Sequence, residues 1–178
     1  MLHFVLSHFF WLASKSKIPF WFLSLDLPPA PLFTDESEKN IIPQVPITEL
    51  LAKYSGVSLH KVGKAWKRYK IAKLPNYLIL TVKRFSKNHW NAFEKNPTIV
   101  NFPVKNLDMG DIVGVAGKYD LIANICHEGT LSNGHYKIHV LSKAKEQWLQ
   151  IQDLFVEEIM AQMIILSETY IQIFEKRQ

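Results

Sequence analysis

Leu74-Pro75-Asn76-Tyr77-Leu78-Ile79-Leu80-Thr81-Val82-Lys83-Arg84-Phe85 reads as a β-strand introduced by a proline. Its branched and aromatic residues suit a pleated surface, and Leu74-Pro75 marks where pairing can begin. Similar stretches recur downstream. Tyr119 to His127 and His135 to Leu141 flank Glu128-Gly129-Thr130-Leu131-Ser132-Asn133-Gly134, a loop with two glycines. Thr98 to Phe102, Trp148 to Ile151 and Thr169 to Phe174 are shorter strand candidates. Upstream, Phe20 to Leu27 has the same character and stops at Pro28-Pro29. Short helices are expected at Glu49 to Tyr54 behind an N-cap Thr48, from Ser58 to about Tyr69, and at Val156 to Met163. The fold class that follows is α+β, a mainly antiparallel sheet with short helices.

The chain has 178 residues, of which 48% are hydrophobic and 21% charged. That excludes a disordered chain and gives one domain or part of a larger one. A single cysteine, Cys126, excludes an internal disulfide framework, a Cys-based zinc finger and a CxxC pair, and it fits a reducing compartment. The net charge is +5 and unevenly spread. Between Lys53 and Lys87 lie ten Lys and Arg (Lys53, Lys61, Lys64, Lys67, Arg68, Lys70, Lys73, Lys83, Arg84, Lys87) and no acid. Such a block attracts phosphate or acidic protein surfaces, and it equally suits a solvated helix and strand edge. Trp66 and Trp90 stand near Lys67, Arg68 and Lys87, a combination able to stack on RNA bases, although no RRM or KH signature accompanies it.

Met1 to Ala13 is apolar and aromatic but too short to span a bilayer before Ser14-Lys15-Ser16-Lys17 interrupts it. It lacks the basic start of a signal peptide and carries His3 and His8 inside the apolar run. The expectation is a non-native or poorly ordered extension over 1–17, with a targeting or membrane-surface segment as the alternative. A domain is then expected over 18–178, with an acidic, Pro-punctuated connection through Asp35, Glu36 and Glu38 to Pro46.

Chemistry is sought first at histidine. A catalytic imidazole needs one nitrogen for its substrate or nucleophile and the other held by a carboxylate, amide or carbonyl. His135 follows Gly134 at a strand start, where the glycine lets backbone approach closely. Asp153 and Gln152 lie just past the next strand, so neighbouring antiparallel strands could bring either to His135. A structural role for the same residues fits the spacing as well. Trp148, Tyr170 and Phe174 are read as core packing.

Several segments resemble the ubiquitin-specific protease family of cysteine deubiquitinases. Leu74 to Phe85 is similar to that family's LPxxLILxLKRF strand, and Val100-Asn101-Phe102-Pro103 with Leu107-Asp108 to its VxFPxxxLD segment. Tyr119 to Ile125, His127-x-Gly129 and Gly134-His135-Tyr136 resemble its YxLxAVIxHxG…GHY box. Trp148 with Ile151-Gln152-Asp153 and Val156 resembles WxxFDDxxV, and Tyr170 to Phe174 resembles the closing YxLFY strand. The resemblance implies a partial papain-like domain, with the palm and reduced fingers present and the thumb missing. It also implies an exposed apolar face where the thumb would dock. Leu25-Asp26-Leu27-Pro28, Ile41 to Pro46, Phe93 to Pro103 and Gln152-Asp153-Leu154 resemble one branch in particular, the catalytically inert splicing factors of the spliceosomal tri-snRNP.

Within that resemblance, the family's GLxNxGNTCYMN box, which supplies the nucleophilic Cys and the oxyanion-hole Asn, has no match, and neither do its zinc-binding finger cysteines. His135 matches the catalytic His, and Gln152 and Asp153 fall where the orienting residue would be. Cys126 and His135 could become cross-strand neighbours, but on one open sheet face with no donors for an oxyanion. The implied function is a non-catalytic scaffold in pre-mRNA splicing, nuclear, without metal or cofactor and without membrane attachment. Its implied partners are tri-snRNP proteins, with ubiquitin and, through Lys53 to Lys87, RNA as further candidates. A fragment of an active cysteine deubiquitinase is the alternative.

Overall fold

Alternation sets the centre of the molecule. Along Tyr77–Lys83 the side chains of Leu78, Leu80 and Val82 are at most 1% exposed, while Tyr77, Ile79, Thr81 and Lys83 turn the other way. That is the two-residue period of a strand with one face on a core. The computed structural model describes residues 2–7, 13–29, 42–87 and 92–178. Its first elements are β1 (Leu2–Ser7), β2 (Ala13–Ile18), β3 (Leu23–Asp26), β4 (Gln44–Pro46), α1 (Ile47–Leu51) with a 3-10 turn at Ala52–Tyr54, β5 (His60–Val62) and β6 (Ala65–Ile71). Then come β7 (Tyr77–Lys83), β8 (Phe85–Lys87), β9 (Phe93–Lys95), β10 (Ile99–Asn101), β11 (Leu107–Asp108) and α2 (Met109–Val113). The chain closes with β12 (Lys118–Gly129), β13 (Gly134–Ser142), β14 (Gln147–Gln152), β15 (Phe155–Ile159), α3 (Ala161–Ile164) and β16 (Thr169–Lys176).

The main sheet has eight strands in the order β15-β14-β13-β12-β16-β7-β3, with β11 added on β12. Only the β3–β7 ladder in it is parallel. The predicted strands therefore form, within an α+β fold dominated by antiparallel pairing. One face of this sheet builds the core. Leu23, Leu25, Leu78, Leu80, Leu121 and Phe174 meet Leu51 of α1 and Met109 and Val113 of α2, all at most 2% exposed. Asp108 caps α2 by accepting from the Gly110 N–H at 2.8 Å, and Gly114 ends it with φ 72°. Those are the acceptor and the left-handed residue that a short helix needs at its two ends.

The opposite sheet face is apolar and open. Register aligns Ile171, Ile125, Ile138, Ile151 and Val156 as one row across five strands. None of them is buried, and Ile138 and Val156 are 38% and 60% exposed. The sheet thus leaves an apolar row partly open to solvent, a surface of the kind that partners cover.

Two predicted helices are strands instead. The basic stretch from Ser58 to Tyr69 is the β5–β6 hairpin, turned by Gly63-Lys64 with Gly63 at φ 62°. A glycine at the first position of a two-residue turn matches the right-handed strand twist, and it wins over weak helix propensity. β6 then alternates, placing Tyr69 and Ile71 inward and Trp66, Arg68 and Lys70 outward. Val156 to Met163 divides into β15 and the one-turn α3, because Asp153 at φ 51° turns the chain back so that β15 pairs with β14. The helix near Glu49 exists but begins at Ile47, with Pro46 before it and no side-chain cap from Thr48. In the N-terminal stretch, β1 pairs with β2 and also with β6, giving a second sheet in the order β2-β1-β6-β5. The acidic connection around Asp35 and Trp90 lies outside the described residues.

Arg84 holds the junction between these parts. It is fully buried, and its guanidinium donates to the carbonyls of Thr169 (2.6 Å), Asn96 (2.9 Å) and Thr98 (2.7 Å). The end of β7 is thereby fastened to the start of β16 and to the β9–β10 connection. Burial lowers its pKa while Glu168 nearby raises it. Replacing Arg84 with Leu leaves two buried acceptors and one half-buried acceptor without their donor and is expected to lower unfolding stability by about 3 kcal/mol. Urea unfolding checks this; a loss within about 0.5 kcal/mol, the range of an ordinary surface change, would contradict it.

Candidate functional site

The β12–β13 hairpin sets the position of His135. Gly129 takes φ 90°, and Gly134 runs so close to the His127 ring that a Cβ on it would overlap that ring. His127 is buried, edge-on to Phe85 at 5.2 Å and to Tyr136 at 4.9 Å between ring centres. The order Gly134-His135-Tyr136 thus has a packing reason: Gly for the close approach, Tyr for the aromatic cluster. His135 itself points away from this cluster into solvent, its side chain 51% exposed.

Its partner is one the sequence reading passed over. Glu128 stands directly opposite His135 across the hairpin, and its Oε2 is 3.3 Å from His135 Nε2. The other carboxylate oxygen is taken by Lys137. The Lys137 hydrogen bond is the main reason the Glu128 carboxyl sits below the usual carboxylate range; burial opposes it, and His135 adds to the lowering. The available signal was the hairpin loop, which makes the residues flanking it cross-strand pairs.

No hydrogen bond joins His135 to Gln152 or Asp153. β13 and β14 are neighbours, but their ladder runs from Ser142↔Gln147 to Ile138↔Ile151 and stops before reaching His135. Gln152 pairs with Phe155 at the end of β14, and Asp153 occupies the turn, where an Asp tolerates positive φ.

Cys126 opposes Lys137 rather than His135, which corrects the expected cross-strand pairing. Its thiol is fully buried and donates to Ser167 Oγ at 3.1 Å, while Asn124 Nδ2 donates to the sulfur at 3.2 Å. Burial pushes its pKa up to about 11, so the thiolate required of a nucleophile is scarce near neutral pH. His139 Nδ1 lies 3.8 Å from the sulfur.

Cys126 belongs to a buried polar chain under the sheet. Thr169 Oγ1 donates to Asn124 Oδ1, and Asn124 Nδ2 lies 3.4 Å from His139 Nδ1. His139 Nε2 meets Gln150 Oε1 at 3.0 Å, and Gln150 Nε2 donates to Glu157 at 2.6 Å. Such a chain fixes the sheet by satisfying donors and acceptors along its buried part. Among the described residues no group of three His, Cys, Asp or Glu could hold a metal ion, and no helix is long and apolar enough to cross a membrane.

Burial holds the pKa of His139 and His127 below their ordinary 6.5. The folded chain therefore binds fewer protons than the unfolded chain below that pH, and stability is lost as pH falls through the window beneath 6.5. Urea unfolding between about pH 7 and pH 5 should show this decline, and His139→Gln should flatten it. An unchanged slope in the variant would contradict the assignment.

Comparison with known proteins gives this geometry a family. The profile described as ubiquitin carboxyl-terminal hydrolase matches residues 13–174. The human protein named ubiquitin carboxyl-terminal hydrolase 39 is 48% identical over 170 residues, covering 89% of this chain and 30% of that protein. The fission yeast (Schizosaccharomyces pombe) protein named probable mRNA-splicing protein ubp10 is 40% identical over 172 residues, covering 89% of this chain and 34% of that one. A chain in the solved structure of the Ubp8-Sgf11-Sgf73-Sus1 SAGA DUB module superposes with a TM-score of 0.76 at 25% identity, covering 99% of this chain and 39% of that one. The chain thus spans about a third of the length of the curated relatives it matches. A profile match over most of its residues, on strands that pair as the motifs require, makes this chain a member of the ubiquitin carboxyl-terminal hydrolase family.

Proposed function

We propose that the chain is a non-catalytic, ubiquitin-specific-protease-like scaffold acting in pre-mRNA splicing, in assembly of the tri-snRNP. The observation that carries the reading is the separation of the chemical parts. His135 is tied to Glu128 at the solvent edge, whereas the single thiol is buried, protonated and opposite Lys137. The imidazole within reach of that sulfur, His139 at 3.8 Å, is itself buried with its pKa lowered, and the thiol lies in a closed polar chain rather than before a set of donors aimed at an oxyanion. What the fold offers is surface, including an apolar sheet face of the kind that partners cover. A fission yeast relative named as an mRNA-splicing protein, 40% identical, supports splicing as the process. On this reading the protein is nuclear, its partners are spliceosomal proteins, the domain proper runs over 18–178, and neither metal nor cofactor takes part.

A second reading keeps the family's chemistry: the chain is part of an active cysteine deubiquitinase. The likeness to a chain of a DUB module favours it, as does the resemblance of Gly134-His135-Tyr136 to the family box that carries its catalytic imidazole. The two readings separate on two measurements. Affinity capture from nuclear extract, with the chain as bait, should recover tri-snRNP proteins, and recovery of no spliceosomal component would refute the scaffold. Release of a fluorophore from the C-terminus of ubiquitin should stay at the buffer rate; release that depends on His135 would favour the enzyme. Titration of labelled ubiquitin tests the remaining candidate partner, with a saturable shift expected if the sheet binds ubiquitin without cleaving it.

A further inference from the structure

The cations of this chain fall into two populations. Lys53 and Lys83 meet Asp26, Lys95 meets Glu168, Lys118 meets Asp108, Lys137 meets Glu128, Lys143 meets Glu175 and Arg177 meets Asp120. Four cations of the N-terminal sheet, Lys15, Lys17, Arg68 and Lys70, form the second population. Among the described residues no ion pair holds Lys15, Lys17, Arg68 or Lys70, and the Arg68 Nε is buried without a hydrogen-bond partner.

Pairing register brings these four together. β1 lies between β2 and β6, and the β1 position that opposes Lys15 also opposes Arg68, while the one opposing Lys17 also opposes Lys70. Residues aligned across neighbouring strands share a face, so two rows of two cations stand on one side of the sheet. Lys15, Arg68 and Lys70 line one cleft of about 440 Å³, together with Gly56, Ala72 and Val115. Trp66 is on the same face of β6, two residues before Arg68; it is 40% exposed and opposed by Lys61 on β5. β6 thus presents an aromatic ring and then two cations at alternate positions, about 7 Å apart along the strand.

The geometry points to this face as a binding site for single-stranded nucleic acid. The cations track the phosphate backbone, and Trp66 offers its ring to a base. An acidic protein surface would satisfy the charge alone. The exposed tryptophan in line with the cations favours a ligand that carries both charge and π-faces. The site is not the continuous basic stretch of the sequence, because Lys53 and Lys83 are engaged with Asp26 and Arg84 is buried in carbonyls. It gains Lys15 and Lys17 from β2, which lies in the stretch expected to be an extension. The inference stands on this face and does not depend on the splicing reading.

Fluorescence anisotropy with a short labelled oligouridylate, and with the matching oligodeoxythymidylate, tests it on the full chain. Saturable binding to either is expected, falling steeply with salt. The double variant Lys15→Ala/Arg68→Ala should weaken binding at least tenfold and reduce the log–log salt slope by about 1.4, the value for two lost phosphate contacts on a single strand. Trp66→Ala should weaken binding by about tenfold with the salt slope unchanged, the mark of a stacked base rather than a phosphate contact. Lys118→Ala with Lys143→Ala, cations outside this face, should leave binding unchanged. Absence of binding to both oligomers, or equal loss in the Lys118/Lys143 control, would overturn the site. Displacement of the oligomer by polyglutamate at equal charge concentration, together with indifference to Trp66→Ala, would also overturn it and indicate an acidic protein surface instead.

Discussion

A buried guanidinium that donates to three backbone carbonyls ties this fold together. Arg84 sits where β7 ends, and the oxygens it collects come from β16 and from the segment between β9 and β10. One side chain satisfies three acceptors, two of them buried, and so couples the three segments to one another. Thr169, whose carbonyl Arg84 holds, also donates from its hydroxyl to Asn124 and pairs with Cys126 across the sheet. The anchor at Arg84 thereby continues into the polar chain through His139 and Gln150. What looks from composition like a place for acid–base chemistry is, in the folded chain, the internal bracing of a sheet.

That bracing explains the division of labour among the histidines. His139 and His127 are buried, with pKa values lowered by that burial, whereas His135 faces solvent. The thiol lies with the buried pair rather than with the exposed one. Proximity to a neutral imidazole in a closed interior does little to generate a thiolate, because desolvation penalises the charged form more than His139 can compensate. The exposed imidazole, for its part, is engaged with Glu128 on its own hairpin. Base and sulfur are thus segregated by the pleat and register of β12 and β13.

Much of this was legible in the sequence. The strand from Tyr77, the two long strands around the Gly129–Gly134 loop and the closing strand from Thr169 all announce themselves through branched residues and turn chemistry, and they form the main sheet. The basic stretch after Ser58 was misread because its lysines suit a helix as well as a strand. Gly63 at positive φ and the alternation of Trp66, Arg68 and Lys70 against Tyr69 and Ile71 decide for the hairpin. Val156 to Met163 was misread because pairing with β14 overrides local propensity, and Asp153, read as a candidate orienting carboxylate, stands in the turn between β14 and β15. The Glu128–His135 pair was accessible through the loop. The join of β2 to β6 through β1 was not, since long-range register leaves no local mark.

The proposed scaffold requires that the Cys126 thiol does not attack ubiquitin. Incubating the chain with ubiquitin that carries a C-terminal electrophile, and weighing the product by intact mass spectrometry, tests that directly. A single peak at the unmodified mass is the predicted result, with Cys126 alkylated only after denaturation. A stoichiometric ubiquitin adduct on Cys126 of the folded chain would contradict it.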